Sequence, residues 1–367
     1  MSTLKVDAIR HNSASSDAIT TAADGTCTAR ITGTTGGGGL SHRNLIINGQ
    51  FDVWQRATDS GSNTTDGYLS CDRWYHASSG ATKQVTRQTF ALGQTDVPDN
   101  PKYYLRYAVT TGNNNVALRQ RIEDVTRCQG EMTFSFWVKG SNPGGGHFDL
   151  IFRQNFGTGG SASNVVDSSI ANYTVSNTWT KKTFTFTPAS ISGKTLGTSQ
   201  NSDYYEIELF RQPAGDTSTA AFTVDFANVQ LERGSVSTSF EKRTYGEELR
   251  NCERYFQCLK GPSTNPTGDN EALYGVAHTY TTSRALWSFI FKTEMRDHPT
   301  IAMNTIGNVQ ILSSSGWNSA TSLVYTNKSS KLGCRVDLNF SGTPFSANGA
   351  GEVRIISDGL LSFDAEL

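Results

Sequence analysis

The feature that most constrains this chain is a period of two. In Met132-Thr-Phe134-Ser-Phe136-Trp-Val138 the bulky apolar residues recur at every second position, and the run stops at Lys139-Gly140. Successive side chains of an extended strand point to opposite faces, so such a run is a strand with an apolar face. Tyr204-Tyr-Glu-Ile207-Glu-Leu209-Phe210 alternates in the same way, as does Phe222-Thr-Val224-Asp-Phe226. A further polar-apolar run opens at Trp179, passes through Phe184 and Phe186 and ends at Pro188. Between the runs lie loops rich in Gly, Asn and Ser, such as Ser141 to Gly146 and Gly157 to Ser163. Strands patterned like this bury their apolar faces against a second sheet, which predicts a two-sheet sandwich from Asn44 to about Arg243.

Composition agrees. Charged residues are 18% of the 367, below the roughly 25% of an ordinary soluble domain. Thr, Ser, Asn and 35 Gly fill the difference, and 19 Phe and 13 Tyr supply bulky residues for the inner faces of sheets. The expected class is all-β.

Net charge is -1 and Lys and Arg are scattered, so the dense basic face that a nucleic-acid binder needs is missing. No run of about 18 apolar residues is present to span a membrane. The first residues, Met1 to Thr21, lack the apolar core of a signal peptide, which predicts folding in the cytoplasm where the chain is made. Cys27, Cys71, Cys128, Cys252, Cys258 and Cys334 contain no CxxC, and the expectation is free, buried thiols.

Four pieces follow one another. Residues 1–43 are polar and end in the break Gly36 to Gly39; Leu4 to Ile9 has a strand pattern, but the piece has too few apolar residues for its own core. It must stay disordered or pair with another chain, as an attachment arm would. Residues 44–243 are the sandwich. Residues 244–270 open with Thr244 and Glu247 spaced as a capping box. Leu249, Cys252, Tyr255, Phe256 and Leu259 then recur at helical spacing before Gly261-Pro262, and a polar linker follows. The helix face has to pack on the sandwich or on the same helix of neighbouring subunits. Residues 271–367 return to strands, with Arg284 to Lys292 apolar on both parities and so expected to be buried on both sides. Val309–Leu312, Leu323–Tyr325, Arg335–Phe340 and Glu352–Ile356 complete an expected second small sandwich.

Two segments carry a family resemblance. Asn44-Leu-Ile-Ile-Asn-Gly-Gln-Phe-Asp-Val-Trp-Gln-Arg56, followed by Asp72-Arg-Trp74, resembles the opening of a domain common in tail-fibre and other virion proteins of marine phages. Phe226-Ala-Asn-Val-Gln-Leu-Glu-Arg-Gly-Ser235, then Ser239-Phe-Glu-Lys-Arg243 and Cys252-Glu-Arg-Tyr-Phe256, resembles its closing and the helix after it. Met132 to Gly140 matches an interior strand of that pattern. Ser2 to Asp7 and Leu361-Ser-Phe-Asp-Ala-Glu-Leu367 resemble the beginnings and ends of cyanophage fibre proteins. The sandwich between the motifs is similar to jelly-roll carbohydrate-binding modules. That resemblance implies a virion protein binding host-surface polysaccharide, and a structural calcium near the last strand with Asp225 as the side chain to suspect; no other cofactor is expected.

Site chemistry is sparse. Sugar rings present apolar C–H faces that stack on flat aromatic side chains, which singles out Trp54, Trp74, Tyr75 and Trp179. Trp54 with Gln55 and Arg56, or Trp74 with Asp72 and Arg73, also offers hydrogen-bonding neighbours; the favoured reading is that both tryptophans are core, with Arg73 paired to a carboxylate. Loops Ser141–His147, Phe156–Ser163 and Ser341–Gly351 are the expected receptor contacts. A glycan-cleaving enzyme would need facing carboxylates, for which Asp203, Glu206 and Glu208 are candidates, but alternating Glu reads as the wet face of a strand. The six His form no HxH or HExxH, and no Gly-x-Ser-x-Gly is present, so no enzyme is expected. The expectation is therefore a homotrimeric tail fibre of the virion, bound to other tail proteins through residues 1–43. A purely structural adaptor, baseplate or capsid-decorating role and a glycan depolymerase are the alternatives.

Overall fold

The structure is a computed structural model that describes residues 8–10, 19–21, 27–29, 42–78, 80–111, 116–144, 146–162, 165–198, 202–213, 220–261, 271–324 and 329–367. Most of the 1–43 arm therefore lies outside the described residues. Its described parts are β1 (Ala8–Ile9), β2 (Ile19–Thr21) and β3 (Cys27–Ala29), paired antiparallel in that order.

Ten strands build the sandwich: β4 (Tyr75–Ala77), β5 (Thr82–Thr89), β6 (Tyr103–Thr111), β7 (Ala117–Glu123), β8 (Met132–Gly140), β9 (Phe148–Asn155), β10 (Val165–Tyr173), β11 (Thr180–Phe186), β12 (Tyr204–Arg211) and β13 (Phe222–Arg233). One sheet runs β10-β9-β12-β7-β4 and the other β11-β8-β13-β6-β5. The chain crosses repeatedly from one sheet to the other, so the β-sandwich has jelly-roll connectivity. Phe134, Phe136, Phe148, Phe152, Tyr205, Ile207, Phe210, Val224 and Phe226 fill the space between the sheets, the apolar parity read from the sequence.

The segments Asn44–Arg56 and Phe226–Ser235, far apart in sequence, are neighbours here. Leu45 N donates to Leu231 O at 2.9 Å, and the Asn44 side chain donates to Val229 O and accepts from Leu231 N. Val229 N reaches Gly49 O at 2.8 Å, so close that a Cβ on Gly49 would stand 2.2 Å from Val229 O. Asn48 accepts from Val53 N and donates to Val53 O and Asp72 O, holding the opening segment folded back over Trp74. These residues close the sandwich.

Helix α1 (Tyr245–Glu253) starts as the capping pattern predicts, with Glu247 N donating to Thr244 Oγ1. It ends sooner than the periodicity implies.

 

Phe256 and Leu259, expected on the helix, stand instead in strand β14 (Phe256–Lys260). The pairing partner explains the difference: β14 takes a place beside the last strand of the chain, and that ladder outweighs helical spacing. The stretch 244–270 is thus not a helix and linker alone.

The remaining strands are β15 (Glu271–Thr279), β16 (Arg284–Ile290), β17 (Thr300–Met303), β18 (Val309–Ser313), β19 (Gly316–Val324), β20 (Gly333–Phe340), β21 (Gly349–Ile356) and β22 (Leu360–Asp364). β14, β22 and β17 form a three-stranded sheet. The other six close into a barrel, β15-β16-β20-β19-β18-β21, where a second small sandwich was expected; closure leaves no sheet edge open. Strand β16 is buried on one side only: Ala285 and Trp287 face the core, while Ile290 is 85% exposed.

The helix face is covered within the chain. Tyr255 and Cys252 are buried, Glu248 contacts Asn48 N and Arg243, and Arg254 makes a two-point contact with Glu123 of β7 at 2.7 and 2.9 Å. Residues 364–366 complete the junction, with Glu366 buried between Arg56 and Arg73. Cys71, Cys128, Cys252, Cys258 and Cys334 are free thiols, all buried except the half-buried Cys258.

Candidate functional site

The outer face of the β10-β9-β12-β7-β4 sheet carries an arginine–carboxylate array. Alternation on β7 turns Leu118 and Ile122 inward and Arg119 and Arg121 outward; on β12 it turns Tyr205, Ile207 and Leu209 inward and Glu206 and Glu208 outward. Register then does the assembling, because Glu206 stands opposite Arg121 on one side and Arg153 of β9 on the other. Glu206 accepts from Arg121 Nε at 2.8 Å and from Arg153 Nη1 at 2.7 Å. Glu208 meets Arg119 Nε at 2.9 Å, Arg153 Nη1 at 2.5 Å and Arg211 Nη1 at 3.9 Å. Tyr204 and Tyr75 flank the array, Tyr204 with its ring 4.6 Å from the Arg121 guanidinium. Arg119, Arg121, Arg153, Arg211, Tyr204 and Glu206, together with Asp66 and Ala77, line a cleft of about 430 Å³.

Glu206 and Glu208 do not lie on a wet face. They are 4% and 0% exposed, because long arginine side chains from the adjoining strands roof them over. Burial alone would raise the Glu206 carboxyl, but hydrogen bonds from Arg121 and Arg153 and the nearby guanidinium charges outweigh it and hold its pKa below the ordinary carboxylate value. A general acid for glycoside cleavage needs the opposite shift. What the cleft does offer is a set of oriented N–H donors beside two half-exposed tyrosines, suited to ligands rich in hydroxyl or carboxylate oxygens.

The four aromatic candidates separate. Trp74 is fully buried against Phe51, its indole N–H donating to Asn48 O. Trp54 is 9% exposed and donates to Phe51 O. Neither presents a ring to a ligand, and Arg73 is paired with Glu366. Tyr75 is half-buried, its ring 5.7 Å from the Arg119 guanidinium and 5.8 Å from that of Arg121. Trp179 is half-buried on the opposite sheet, away from the other three. The loop that begins at Ser341 turns Phe345 into the barrel core against Phe340, while parts of the loops near 145 and 163 lie outside the described residues.

Asp225 is engaged as an ion-pair partner: Arg106 grips both its oxygens at 2.8 and 2.9 Å and Lys139 stands 3.8 Å away. Two cations where calcium would sit do not fit a calcium ligand. Among the described residues no three His, Cys, Asp or Glu side chains gather as metal ligands would, and no helix is long and apolar enough to cross a membrane. Sequence reasoning missed the arginines of the cleft, although Arg119 and Arg121 alternate as Glu206 and Glu208 do; which strands adjoin was the missing information.

No family model matches the chain, and no curated protein does. Solved structures with partial similarity include a cellulose-binding domain from Cellulomonas fimi β-1,4-glucanase C (18% identity, TM-score 0.27, 38% of this chain and 84% of that one). The CBM22-1 xylan-binding domain from Paenibacillus barcinonensis overlaps 48% of this chain and 94% of its own, at 16% identity and TM-score 0.24. The enzymatically active domain of tailspike protein 4 from bacteriophage CBA120 overlaps 52% of this chain and 21% of its own, at 18% identity and TM-score 0.30. The β-sandwich assignment rests on the strand order of this chain.

Proposed function

We propose that this protein is a non-enzymatic tail-fibre component of a phage virion that recognises host-surface polysaccharide through the cleft formed by Tyr204, Arg119, Arg121, Arg153 and Arg211. The observation that carries the reading is the array of guanidinium donors, held rigid by two buried carboxylates and open to solvent beside tyrosine rings. Preorganised donors lose little freedom on binding, and repeated weak contacts across many copies give avidity. The resemblance of Asn44–Arg56 and Phe226–Ser235 to segments of marine-phage fibre proteins supports the virion setting. The reading includes a homotrimer, in which a neighbouring subunit would cover groups such as Leu273, Val276, Ile290 and Leu332, exposed in the single chain.

The test is a panel of neutral and uronate-bearing polysaccharides presented to the intact protein. Wild type is expected to bind, and Tyr204→Ala to lose about tenfold in affinity or more with unchanged melting. Absence of binding across the panel would favour the purely structural role. The attachment half of the reading has its own test: removing residues 1–40 is expected to leave a folded protein that no longer joins the particle. Normal occupancy of the truncated chain in virions would remove the arm from its proposed role.

A further inference from the structure

We infer that Lys83 and Asn63 become joined covalently once the chain has folded, their side chains forming an amide cross-link that staples residues 59–67 to the edge of the sandwich. Strands β5 and β4 end the two sheets. Residues 59–67 run along both edges through single bridges, Asp59 to Thr86, Asn63 to Lys83 and Gly67 to His76. Asn63 and Lys83 exchange both backbone hydrogen bonds at 2.9 Å, so they stand directly opposite and their side chains share a face. Alternation along β5 turns that face inward, with Lys83 and Val85 both 0% exposed.

A lysine is almost never fully buried unless a charge pairs with it. Among the described residues Lys83 Nζ meets only uncharged oxygens, Asn63 Oδ1 at 3.5 Å and Thr65 O. The carboxylate whose charge bears on it, Asp66, is committed to Ser78 N and Oγ. His76 adds no compensating charge: it is fully buried, neither ring nitrogen is hydrogen-bonded, and burial and the Lys83 charge push its pKa down to about 3. Burial also lowers the pKa of Lys83, against the pull of Asp66, and so favours the neutral amine, whose lone pair is a nucleophile. The Asn63 amide is set to receive it. Its Oδ1 accepts from Thr65 N at 3.0 Å, which polarises the carbonyl, and its Nδ2 is held by Ser60 O and Gly61 O at 3.0 and 2.9 Å. Attack of Nζ on Cγ forms the new C–N bond, the Cγ–Nδ2 bond breaks, one proton passes from Nζ to Nδ2, and ammonia leaves. No further reactant is needed, because the fold itself brings the two groups together. The product is a neutral amide, which removes the unpaired charge from the interior.

Mass spectrometry of the full chain, folded at neutral pH and then denatured, tests this. Wild type is expected to weigh one ammonia less than its sequence. Trypsin is expected to release Ala57–Arg73 joined to Trp74–Arg87, the second peptide uncut at Lys83. Lys83→Met and Asn63→Ala are each expected at the full mass of their sequences, with the two peptides separate. Wild type at full sequence mass would overturn the inference. So would an ammonia loss that maps elsewhere, such as a succinimide at Asn48-Gly49 or Asn348-Gly349, or one that persists in Lys83→Met. The wild-type measurement decides the matter even where a variant fails to fold.

Discussion

Glu366→Ala is expected to cost about 3–5 kcal/mol and to lower the melting temperature by roughly 4–6 °C. Glu366 is 4% exposed and is the carboxylate that meets both Arg73, itself 1% exposed, and Arg56, at 8%. Burial would lower the pKa of each guanidinium, yet the charge of Glu366 brings the net shift of both upward. Removing that carboxylate leaves two desolvated cations, a larger penalty than the lost hydrogen bonds alone. Arg73 would keep the Tyr255 ring, 3.4 Å away, and Arg56 would keep Asp364 at 2.9 Å, which limits the loss. Because Arg73 belongs to the sandwich and Glu366 follows β22, the damage falls on the junction. Calorimetry is therefore expected to resolve two transitions in the variant and one in wild type. An unchanged melting profile would show that the ion pairs contribute nothing to holding the two β-units together.

The strands were legible in the sequence because period two and burial coincide in them: Phe134, Phe136, Ile207 and Val224 all face the core. The capping residue of α1 was legible too, since Thr244 and Glu247 act locally. What could not be read depended on partners remote in sequence. Phe256 to Lys260 satisfy a helical spacing until the pairing of Phe256 with Asp364 is known. Closure of the barrel depends on β15 meeting β21, about eighty positions away, and no local pattern encodes it. The candidate site was legible in part: Tyr75 and Trp179 are at the surface, Trp54 and Trp74 are not, and Trp54 and Trp74 owe their burial to backbone carbonyls that accept their indole N–H groups.

Glu206→Gln together with Glu208→Gln is expected to destabilise the protein by about 3–5 kcal/mol and to abolish binding at the cleft. On a solvated strand face these changes would be nearly silent, but here each carboxylate neutralises guanidinium groups that stand side by side. Without them Arg119, Arg121, Arg153 and Arg211 repel one another and lose their fixed directions. The sign of the pH effect follows from Glu206, whose pKa is lowered in the folded state. Its stabilisation is fully present above the ordinary value of 4.5 and is lost as pH falls through the lower folded value. Wild type should thus lose stability on acidification below about pH 4.5, and the double variant should show a flatter profile there. Urea melts at pH 7 and pH 3.5 measure both quantities. The same variant tests the absence of catalysis, because a glycosidase using this pair would shorten host polysaccharide in wild type and not in the variant. Neither protein is expected to shorten it: one carboxyl of a working pair must hold a proton near neutral pH, and the arginines around Glu206 oppose that.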